Sequence, residues 1–254
     1  MSAQNSTLQG KVAIITGAGK GLGKAAALAL AEAGVNLALV GRNPEPLAEV
    51  AHKAREQGVE VEIFTADVSH EGDVLRLENL VGKKFSEIDI LINNAGINIR
   101  KNMVDFSFAE WSSVLGTNLN GAFLMCRSFV PRMLGRGNGR IINLTSMLSH
   151  VSIPGRTAYS ASKAGLLGFT KALALELASE GITVNGVSPG PCATEMNMPI
   201  LQNPELNQQF VSKIPLARWG KVEEIAGLIL FLCSPAASFI TGTDILIDGG
   251  WTAQ

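Results

Sequence analysis

Cysteine and histidine are scarce in this sequence, and neither forms a cluster. The three cysteines are far apart and odd in number, and no C-x-x-C pair or Cys/His group joins Cys126, Cys192 and Cys233. This pattern supports neither a disulfide framework nor a zinc site. The three histidines are equally scattered. We therefore expect no metal, and reduced thiols in a cytoplasmic protein.

Charge is also sparse, and it is balanced. The 254 residues include 21 Lys and Arg against 22 Asp and Glu, and no basic run occurs. Nucleic acid and anionic membranes are therefore not expected partners. No uninterrupted apolar run approaches the ~20 residues of a membrane span. The first residues, MSAQNSTLQGK, lack the charged and apolar regions of a secretory signal.

Charged residues make up a small share of the sequence, so few are available for the surface. Only 17% of the sequence is charged and 46% is hydrophobic, whereas a charged fraction of about 25% is typical. This balance predicts an extensive core. It also predicts that some apolar surface is hidden between subunits of an oligomer.

The sequence does contain a regular alternation of short apolar runs with longer segments of helical period. The apolar runs lack strict apolar–polar alternation, which is typical of strands in a parallel sheet covered on both faces by helices. Residues 1–254 show no repeat, linker or shift in composition, so we predict a single domain. The predicted strands are Lys11–Thr16, Leu37–Val40, Val61–Ala66, Ile88–Asn93, Arg140–Leu144, Ile182–Val187 and Asp244–Ile247. The predicted helices are Gly21–Ala33, Pro44–Gln57, Gly72–Phe85, Phe108–Leu134, Tyr159–Glu180 and Val222–Leu232.

One segment, at about residues 191–217, interrupts this alternation. Prolines occur in or beside it, and Met196, Met198 and Trp219 are apolar side chains that could face a ligand. A loop of this length inside a compact domain is usually a functional lid or disordered. We predict a long loop that covers a substrate.

A glycine-rich turn follows the first strand, in the text T-G-A-G-K-G-L-G from Thr16 to Gly23. It opens a helix at the start of a βαβ unit, which is the context that a dinucleotide site requires. Gly17 permits a tight turn, Gly21 lets a pyrophosphate approach the backbone, and Gly23 allows close packing of helix and strand. The helix N-terminus offers free N–H groups to phosphates. The predicted fold is therefore an α/β, Rossmann-type doubly wound parallel sheet of about seven strands.

The end of the second predicted strand indicates which dinucleotide binds. An enzyme that prefers NAD places Asp or Glu there to bind the ribose hydroxyls, but this sequence has Gly41 followed by Arg42. Lys20 in the glycine turn adds a second cation. Both could form charge-assisted hydrogen bonds to an adenosine 2′-phosphate. We therefore predict NADP(H) rather than NAD(H) as the cofactor.

A tyrosine and a lysine four residues apart predict acid–base chemistry. On a helix, Tyr159 and Lys163 lie one turn apart on the same face. A nearby ammonium favours the phenolate, so the expectation is a Tyr159 pKa below the usual value near ~10. Ser146, at the end of the preceding strand, could hydrogen-bond the same substrate oxygen. The alternative is an ordinary surface pair, because Y-x-x-x-K is common.

Taken together, these motifs resemble the short-chain dehydrogenase/reductase family over essentially the whole chain. Besides the glycine turn and the Ser, Tyr and Lys, the matches are A-D-V at Ala66–Val68, N-N-A-G at Asn93–Gly96, Asn118, and P-G-x-x-x-T at Pro189–Thr194. The resemblance implies cofactor contacts from Gly17, Lys20, Gly21, Leu22, Gly23, Arg42, Asp67, Val68, Asn94, Ala95, Gly96, Tyr159, Lys163, Pro189, Gly190 and Thr194. It implies that Asp67 and Val68 contact the adenine, that Asn94 lies near the adenosine ribose, and that Asn93 supports the central strand. It further implies that Lys163 holds the nicotinamide ribose and Thr194 the carboxamide.

The resemblance also implies a mechanism and an assembly. The catalytic residues would be Asn118, Ser146, Tyr159 and Lys163, with Tyr159 exchanging a proton with the substrate while hydride passes to or from the nicotinamide. Asn118 would bend its helix and hold a water that links Lys163 to solvent. Members are mostly tetramers or dimers, so we expect a homotetramer or a homodimer. Its two-fold contact would involve the helices Phe108–Leu134 and Tyr159–Glu180.

Two interpretations of the substrate stay open, beside one that involves no catalysis. A-G-I-N-I-R at Ala95–Arg100 and the ending D-G-G-W resemble gluconate 5-dehydrogenase and related sugar-acid enzymes, so Arg100 would bind a carboxylate. Ile99 departs from that pattern, because those enzymes often have a second basic residue at this position. The rival is a 3-oxoacyl-acyl-carrier-protein reductase or a broad ketone reductase, which suits the apolar lid. His150 and Arg156 could face the pocket, and the candidate substrate residues are Ser146, Arg100, His150 and Met196. A non-catalytic NADP-binding sensor is the reading outside enzymes.

Overall fold

A computed structural model of the protein describes residues 8–254. Seven strands form one parallel sheet in the order β3-β2-β1-β4-β5-β6-β7. The strands are β1 Val12–Thr16, β2 Asn36–Gly41, β3 Val61–Thr65, β4 Ile90–Asn93, β5 Gly139–Leu144, β6 Ile182–Pro189 and β7 Asp244–Ile247. The predicted Rossmann-type doubly wound parallel sheet is confirmed. The strand order reverses between β1 and β4, where such folds bind their ligands.

The helices lie on both faces of the sheet. They are α1 Gly21–Glu32, α2 Pro44–Arg55, α3 Glu71–Lys84, α4 Phe108–Leu115, α5 Gly121–Phe129, α6 Thr157–Leu177, α7 Met198–Leu201, α8 Pro204–Val211 and α9 Val222–Cys233. One apolar core joins the sheet to α1, α2 and α9 through side chains such as Leu30, Val50 and Ile229. A second core joins it to α3, α5 and α6 through Leu77 and Phe129. Burial on both faces explains why the strands are almost continuously apolar.

The predicted helix over Phe108–Leu134 is wrong as a single element. A π-helical turn over Gly116–Asn120 separates α4 from α5, and a 3-10 turn over Val130–Arg132 follows α5. Such a turn inserts an extra residue in the helix and is frequent at functional sites. It brings Asn118 inward, where its side chain is buried.

The prediction of a long loop after β6 is also wrong, because much of the segment is helical. It contains a 3-10 turn over Glu195–Asn197 and then α7 and α8. Phe210 of α8 stacks on Trp219 with ring centroids 5.9 Å apart. Phe210 also packs in a small apolar cluster that includes Met147, Leu148 and Tyr159. The segment therefore covers the end of the sheet where Ser146 and Tyr159 lie.

No helix in the described part of the chain is both long and apolar enough to cross a membrane.

Candidate active site

A cavity of about 370 Å³ opens at the carboxyl ends of β1, β4, β5 and β6. Parallel strands bring these ends to one edge, so side chains far apart in sequence meet there. The structure brings together most of the residues predicted from the sequence. Those that line the cavity are Gly17, Lys20, Gly21, Leu22, Asn94, Ala95, Gly96, Arg100, Ser146, Tyr159, Lys163, Pro189, Gly190, Thr194 and Met196. The others, Gly23, Arg42, Asp67, Val68, Asn118 and His150, do not line it.

The turn between β1 and α1 is shaped to receive an anion. Gly17 has φ +64°, in the left-handed region that favours glycine. A Cβ on Gly23 would lie 2.3 Å from the Gly17 carbonyl oxygen, so only glycine lets the helix approach the turn so closely. The first turn of α1 has no acidic residue, and its N-cap, Lys20, makes no side-chain hydrogen bond. Its backbone N–H groups and positive potential are therefore available to phosphate oxygens.

Asn94 holds the glycine turn in place. Its side-chain amide donates to the carbonyl oxygens of Thr16 and Gly17, at 2.9 and 3.1 Å. The Thr16 hydroxyl in turn accepts from the backbone N–H groups of Asn94 and Ala95. The side-chain donors of Asn94 are thus already used within the protein, so the structure gives it a shaping role at the turn. The place near the adenosine ribose that the resemblance implies for Asn94 stays a prediction.

Asn93 extends this polar scaffold into the core. Its amide donates to Asn143 Oδ1 at 2.8 Å, and the Asn143 amide donates to the Thr170 hydroxyl at 2.8 Å. The chain of hydrogen bonds ties β4 and β5 to α6. It fits the supporting role that the resemblance implies for Asn93.

Arg42, Asp67 and Val68 lie together past the ends of β2 and β3. Arg42 Nη1 is 3.9 Å from Asp67 Oδ2, and the Arg42 side chain is 66% exposed. Burial raises the pKa of the Asp67 carboxyl, but hydrogen bonds from Ser69 and the nearby His70 and Arg42 side chains outweigh it, so the pKa lies below its usual value. Val68 is buried against Gly121 of α5. This arrangement leaves the Arg42 guanidinium open to a further anion.

Ser146, Tyr159 and Lys163 converge on the cavity from β5 and α6. Ser146 follows β5 and begins a 3-10 turn, where its Oγ accepts from the Leu148 N–H at 3.1 Å. Its hydroxyl proton is free to be donated elsewhere. Lys163 Nζ lies 5.7 Å from the centroid of the Tyr159 ring and donates to the Leu144 carbonyl oxygen at 2.5 Å. The predicted helical spacing of the tyrosine and the lysine is confirmed.

The predicted direction of the Tyr159 pKa shift is wrong, because the pKa of the phenol is raised. Burial raises the pKa of the phenol, and it outweighs the opposing effects of Ser146 and of the Arg156 charge. Burial also lowers the pKa of Lys163, to about 8. Desolvation disfavours the charged form of both groups. It therefore dominates the expected attraction between phenolate and ammonium.

The Asn118 side chain joins two elements beside this group. Its Oδ1 accepts from the Ile97 N–H at 2.8 Å, and its amide donates to the Ile97 carbonyl and the Ser162 hydroxyl. A Cβ on Gly96 would lie 3.3 Å from Asn118 Oδ1 and 3.6 Å from Lys163 Nζ. Glycine at position 96 thus lets the segment after β4 pass close to the lysine.

Two arginines reach the part of the cavity nearest Tyr159. Arg100 donates to Asn197 Oδ1 at 2.9 Å and to the Met196 carbonyl oxygen. Arg156 is 9% exposed, and within residues 8–254 its guanidinium donates only to the Gly155 carbonyl oxygen, at 3.3 Å. Neither forms an ion pair with a carboxylate within residues 8–254. Burial lowers the Arg156 pKa, and the nearby Arg100 charge lowers it further.

The structure does not bring His150 to the cavity, in contrast to the prediction. Its Nε2 lies 2.6 Å from Asp244 Oδ2 on β7, because the turn after Ser146 directs the imidazole toward the sheet edge.

Sequence reasoning missed Asn98, which lines the cavity with its buried Oδ1 lacking a hydrogen-bond partner. It also missed Asp244. Asn98 lies in the A-G-I-N-I-R stretch, where only Arg100 was expected to bind substrate, and Asp244 begins the last predicted strand. No sequence signal marked either side chain as part of a site.

The structure brings no three potential metal-ligating His, Cys, Asp or Glu side chains together within residues 8–254. All three cysteines are buried free thiols.

The geometry is that of a dinucleotide-binding cleft with a Ser–Tyr–Lys group at one end, and comparisons with known proteins agree. A family model described as enoyl-(acyl carrier protein) reductase matches residues 17–252. The chain is 42% identical over 247 residues to a 3-oxoacyl-[acyl-carrier-protein] reductase of Synechocystis, covering 96% of this chain and 98% of the relative. It is 35% identical over 248 residues to the gluconate 5-dehydrogenase of Gluconobacter oxydans, covering 98% and 97%.

Solved structures show the same fold with bound nucleotides. A gluconate 5-dehydrogenase from Burkholderia cenocepacia in complex with NADP and tartrate superposes with a TM-score of 0.94 at 33% identity, covering 99% of this chain and 98% of that one. An NAD+-bound xylitol dehydrogenase superposes with a TM-score of 0.91 at 34% identity, covering 96% and 99%. The chain belongs to the short-chain dehydrogenase/reductase family of NAD(P)-dependent oxidoreductases.

Proposed function

We propose that this protein transfers a hydride between NADP(H) and a secondary alcohol or ketone that carries a carboxylate, such as a sugar acid. The cofactor supplies the hydride chemistry when bound. The protein supplies a phosphate-binding turn, a proton donor and acceptor in Tyr159, and a hydrogen-bond donor in Ser146. The free Ser146 proton and the Tyr159 hydroxyl would both meet the substrate oxygen and stabilise charge that develops there.

The raised pKa of Tyr159 bears on the direction of proton transfer. A phenol whose pKa lies above its usual value keeps its proton at neutral pH, which is the form that donates a proton during ketone reduction. Alcohol oxidation needs the phenolate, so it is favoured as the pH rises. We propose that Lys163 assists by placing a positive charge beside the phenol, and that Asn118 holds the Ile97 and Ser162 segments around that lysine.

The preference for NADP(H) rests on Arg42 and Lys20. Arg42 is largely exposed beside Asp67, and Lys20 lies at the N-terminus of α1. No carboxylate follows β2 directly to bind both ribose hydroxyls, since the strand ends at Gly41. A relative with bound NADP supports this choice, while another relative binds NAD+.

We expect Arg42→Asp to lower kcat/KM for NADPH by about 10- to 100-fold, the value of one charge-assisted hydrogen-bond pair. The value for NADH should change little or rise. Steady-state kinetics with both cofactors checks this, and Arg55→Asp on the neighbouring helix is the control for net charge. Wild-type enzyme that uses NADH as well as NADPH would contradict the proposal.

The single observation that supports an acidic substrate is the pair of arginines near Tyr159. A guanidinium keeps its charge at any ordinary pH, so a buried one needs an anion or polar partners. Arg156 has one long hydrogen bond, and Arg100 uses one of its two terminal nitrogens. A carboxylate could accept bidentate hydrogen bonds there. The unpartnered Asn98 Oδ1 offers an acceptor to a substrate hydroxyl.

The test is a substrate panel with NADPH that contains 5-ketogluconate, a neutral ketose and an acetoacetyl thioester. We expect Arg100→Met and Arg156→Met each to lower the ratio of kcat/KM for 5-ketogluconate to that for the neutral ketose by about 10- to 100-fold. Using the ratio cancels any effect of Arg156 on Tyr159. Arg76→Met, at an exposed arginine on α3, is the control and should leave the ratio unchanged. An unchanged ratio in both active-site variants would refute the carboxylate site.

A 3-oxoacyl-acyl-carrier-protein reductase is the second candidate. Met196 and Ile200 present apolar surface to the cavity, which suits an acyl chain, and such a reductase is 42% identical to this chain. Met198, also expected to face a ligand, does not line the cavity. Faster turnover of the acetoacetyl thioester than of 5-ketogluconate would favour this candidate. Absence of turnover across the panel would favour a cofactor-binding sensor.

A further inference from the structure

A buried carboxylate lies directly behind the turn that carries Ser146. The Asp244 side chain, on the first residue of β7, is only 3% exposed and has no lysine or arginine partner within residues 8–254. Asp244 Oδ1 accepts from the Thr145 hydroxyl at 2.6 Å. Oδ2 accepts from the Ser188 hydroxyl and from His150 Nε2, each also at 2.6 Å. Because a carboxylate only accepts, the proton of this imidazole contact lies on Nε2.

The backbone makes room for this carboxylate. Gly186 of β6 is the register partner of Asp244, and a Cβ at Gly186 would lie 2.1 Å from Asp244 Oδ1. A buried charge is tolerated only where donors satisfy its oxygens. Donors from two segments, residues 145–150 and β6, meet that requirement here, and the glycine on β6 leaves the space for the carboxylate.

Two of the three donors bracket Ser146 in the sequence. Thr145 precedes it, and His150 follows the 3-10 turn over Met147–Ser149. Within the turn, the Ser149 N–H donates to the Ser146 carbonyl oxygen at 2.8 Å, and the Leu148 N–H donates to Ser146 Oγ. Both ends of the turn are therefore tied to one carboxylate on β7.

The cluster is not arranged as a hydrolytic triad. In such a triad the imidazole accepts the proton of the nucleophilic hydroxyl. Here the hydroxyls of Thr145 and Ser188 face the carboxylate, and the imidazole donates to that same carboxylate. The contacts orient the chain and leave no activated nucleophile.

We propose that Asp244 and His150 are positioning residues, which hold the Ser146 turn so that the Ser146 hydroxyl points at the substrate oxygen. The inference rests on the proposed function, in which Ser146 binds that oxygen. It predicts that loss of the His150 contact affects turnover only through Ser146.

The experiment compares His150→Phe and His150→Gln in two backgrounds, wild type and Ser146→Ala. Glutamine can place an N–H where the imidazole has Nε2, whereas phenylalanine cannot. We expect His150→Phe to lower kcat by about tenfold or more in the wild-type background, with the KM for NADPH unchanged. His150→Gln should recover most of that loss. In the Ser146→Ala background neither variant should lower kcat further, because residues that act through one another are not additive.

His52→Phe is the matched control, since His52 pairs with Glu56 at the exposed surface and should leave kcat unchanged. Asp244→Asn is a second variant, with its melting temperature recorded. An equal loss of kcat in both backgrounds, or no rescue by glutamine, would show a purely structural contact and overturn the proposal.

A crystal structure of His150→Phe gives a readout that needs no substrate. We expect Ser146 Oγ to leave the Leu148 N–H, 3.1 Å away in the wild type, and to adopt other rotamers. An unmoved Ser146 would also overturn the proposal. If no ketone is turned over, the proposed function fails, while this measurement still decides the role of His150.

Discussion

Tyr159 is the residue on which the proposed chemistry depends, and it is the only tyrosine in the sequence. Its side chain lines the cavity together with Ser146 and Lys163, and its phenol is the group that we propose exchanges a proton with the substrate oxygen. Its aromatic ring also contributes to the apolar cluster with Met147 and Leu148. Removing the hydroxyl alone therefore separates the chemical role from the packing role.

We expect Tyr159→Phe to lower kcat by about 10³-fold or more, because a positioned acid or base contributes roughly 10²–10⁴. NADPH binding, followed by fluorescence, should be nearly unchanged. Near-ultraviolet titration of the wild type should show one tyrosinate transition, above the usual tyrosine pKa and absent from the variant. Retention of most activity by Tyr159→Phe would rule out the mechanism.

The burial of Lys163 should affect how the stability of the protein depends on pH. Its folded pKa of about 8 lies below the unfolded value of 10.5. Between these values the unfolded chain binds more protons, so the stability of the wild type rises with pH. Below about pH 8 the full cost of burying the ammonium is present.

We therefore expect Lys163→Met to raise the free energy of unfolding at pH 7 by about 2 kcal/mol. The pKa shift corresponds to about 3 kcal/mol, and the lost hydrogen bond to Leu144 offsets about 1 kcal/mol of that. The gain should disappear as the pH approaches 10.5. Urea denaturation at several pH values measures it, with Lys171→Met, at an exposed position on the same helix, as the control. A difference that does not depend on pH would show that burial of the ammonium is not its cause.

At the scale of elements, apolar periodicity predicted all seven strands and most helices, because burial on both faces leaves a continuous apolar signal. The segment after β6 was wrongly predicted as a long loop because its prolines were interpreted as helix breakers. Pro199 and Pro204 instead occupy the first turn of α7 and α8, where a missing N–H costs nothing. Asn203 caps α8 by accepting from the Leu206 N–H.

The π-helical turn at Gly116–Asn120 could not be predicted from the sequence, for a different reason. It depends on tertiary contacts, namely the hydrogen bonds of Asn118 to Ile97 and Ser162 and the close approach of Gly121 to Val68. The same limit applies to the site. Spacing predicted that Tyr159 and Lys163 share a helix face, but the direction of the Tyr159 pKa shift depends on burial, which spacing does not reveal.

At the scale of the whole molecule, two separate surfaces carry exposed apolar side chains. The first, on α4, α5 and α6, presents Phe108, Phe123 and Leu175. The second, on α9, β7 and the segment between them, presents Phe231, Phe239 and Leu246. Large exposed apolar side chains on neighbouring elements are typical of surfaces that bind another subunit. Two self-complementary surfaces would build a tetramer with three two-fold axes, whereas one would build only a dimer.

We therefore expect a homotetramer in solution, measured by size-exclusion chromatography with light scattering. Leu175→Glu should block the first surface and Phe239→Asp the second, and each should yield a dimer, because a buried unpaired charge opposes association by several kcal/mol. The double variant should be a monomer. Leu75→Glu, at an exposed leucine on α3, is the control that should stay tetrameric. A wild-type monomer would refute both surfaces, and a wild-type dimer dissociated by only one variant would leave a single interface.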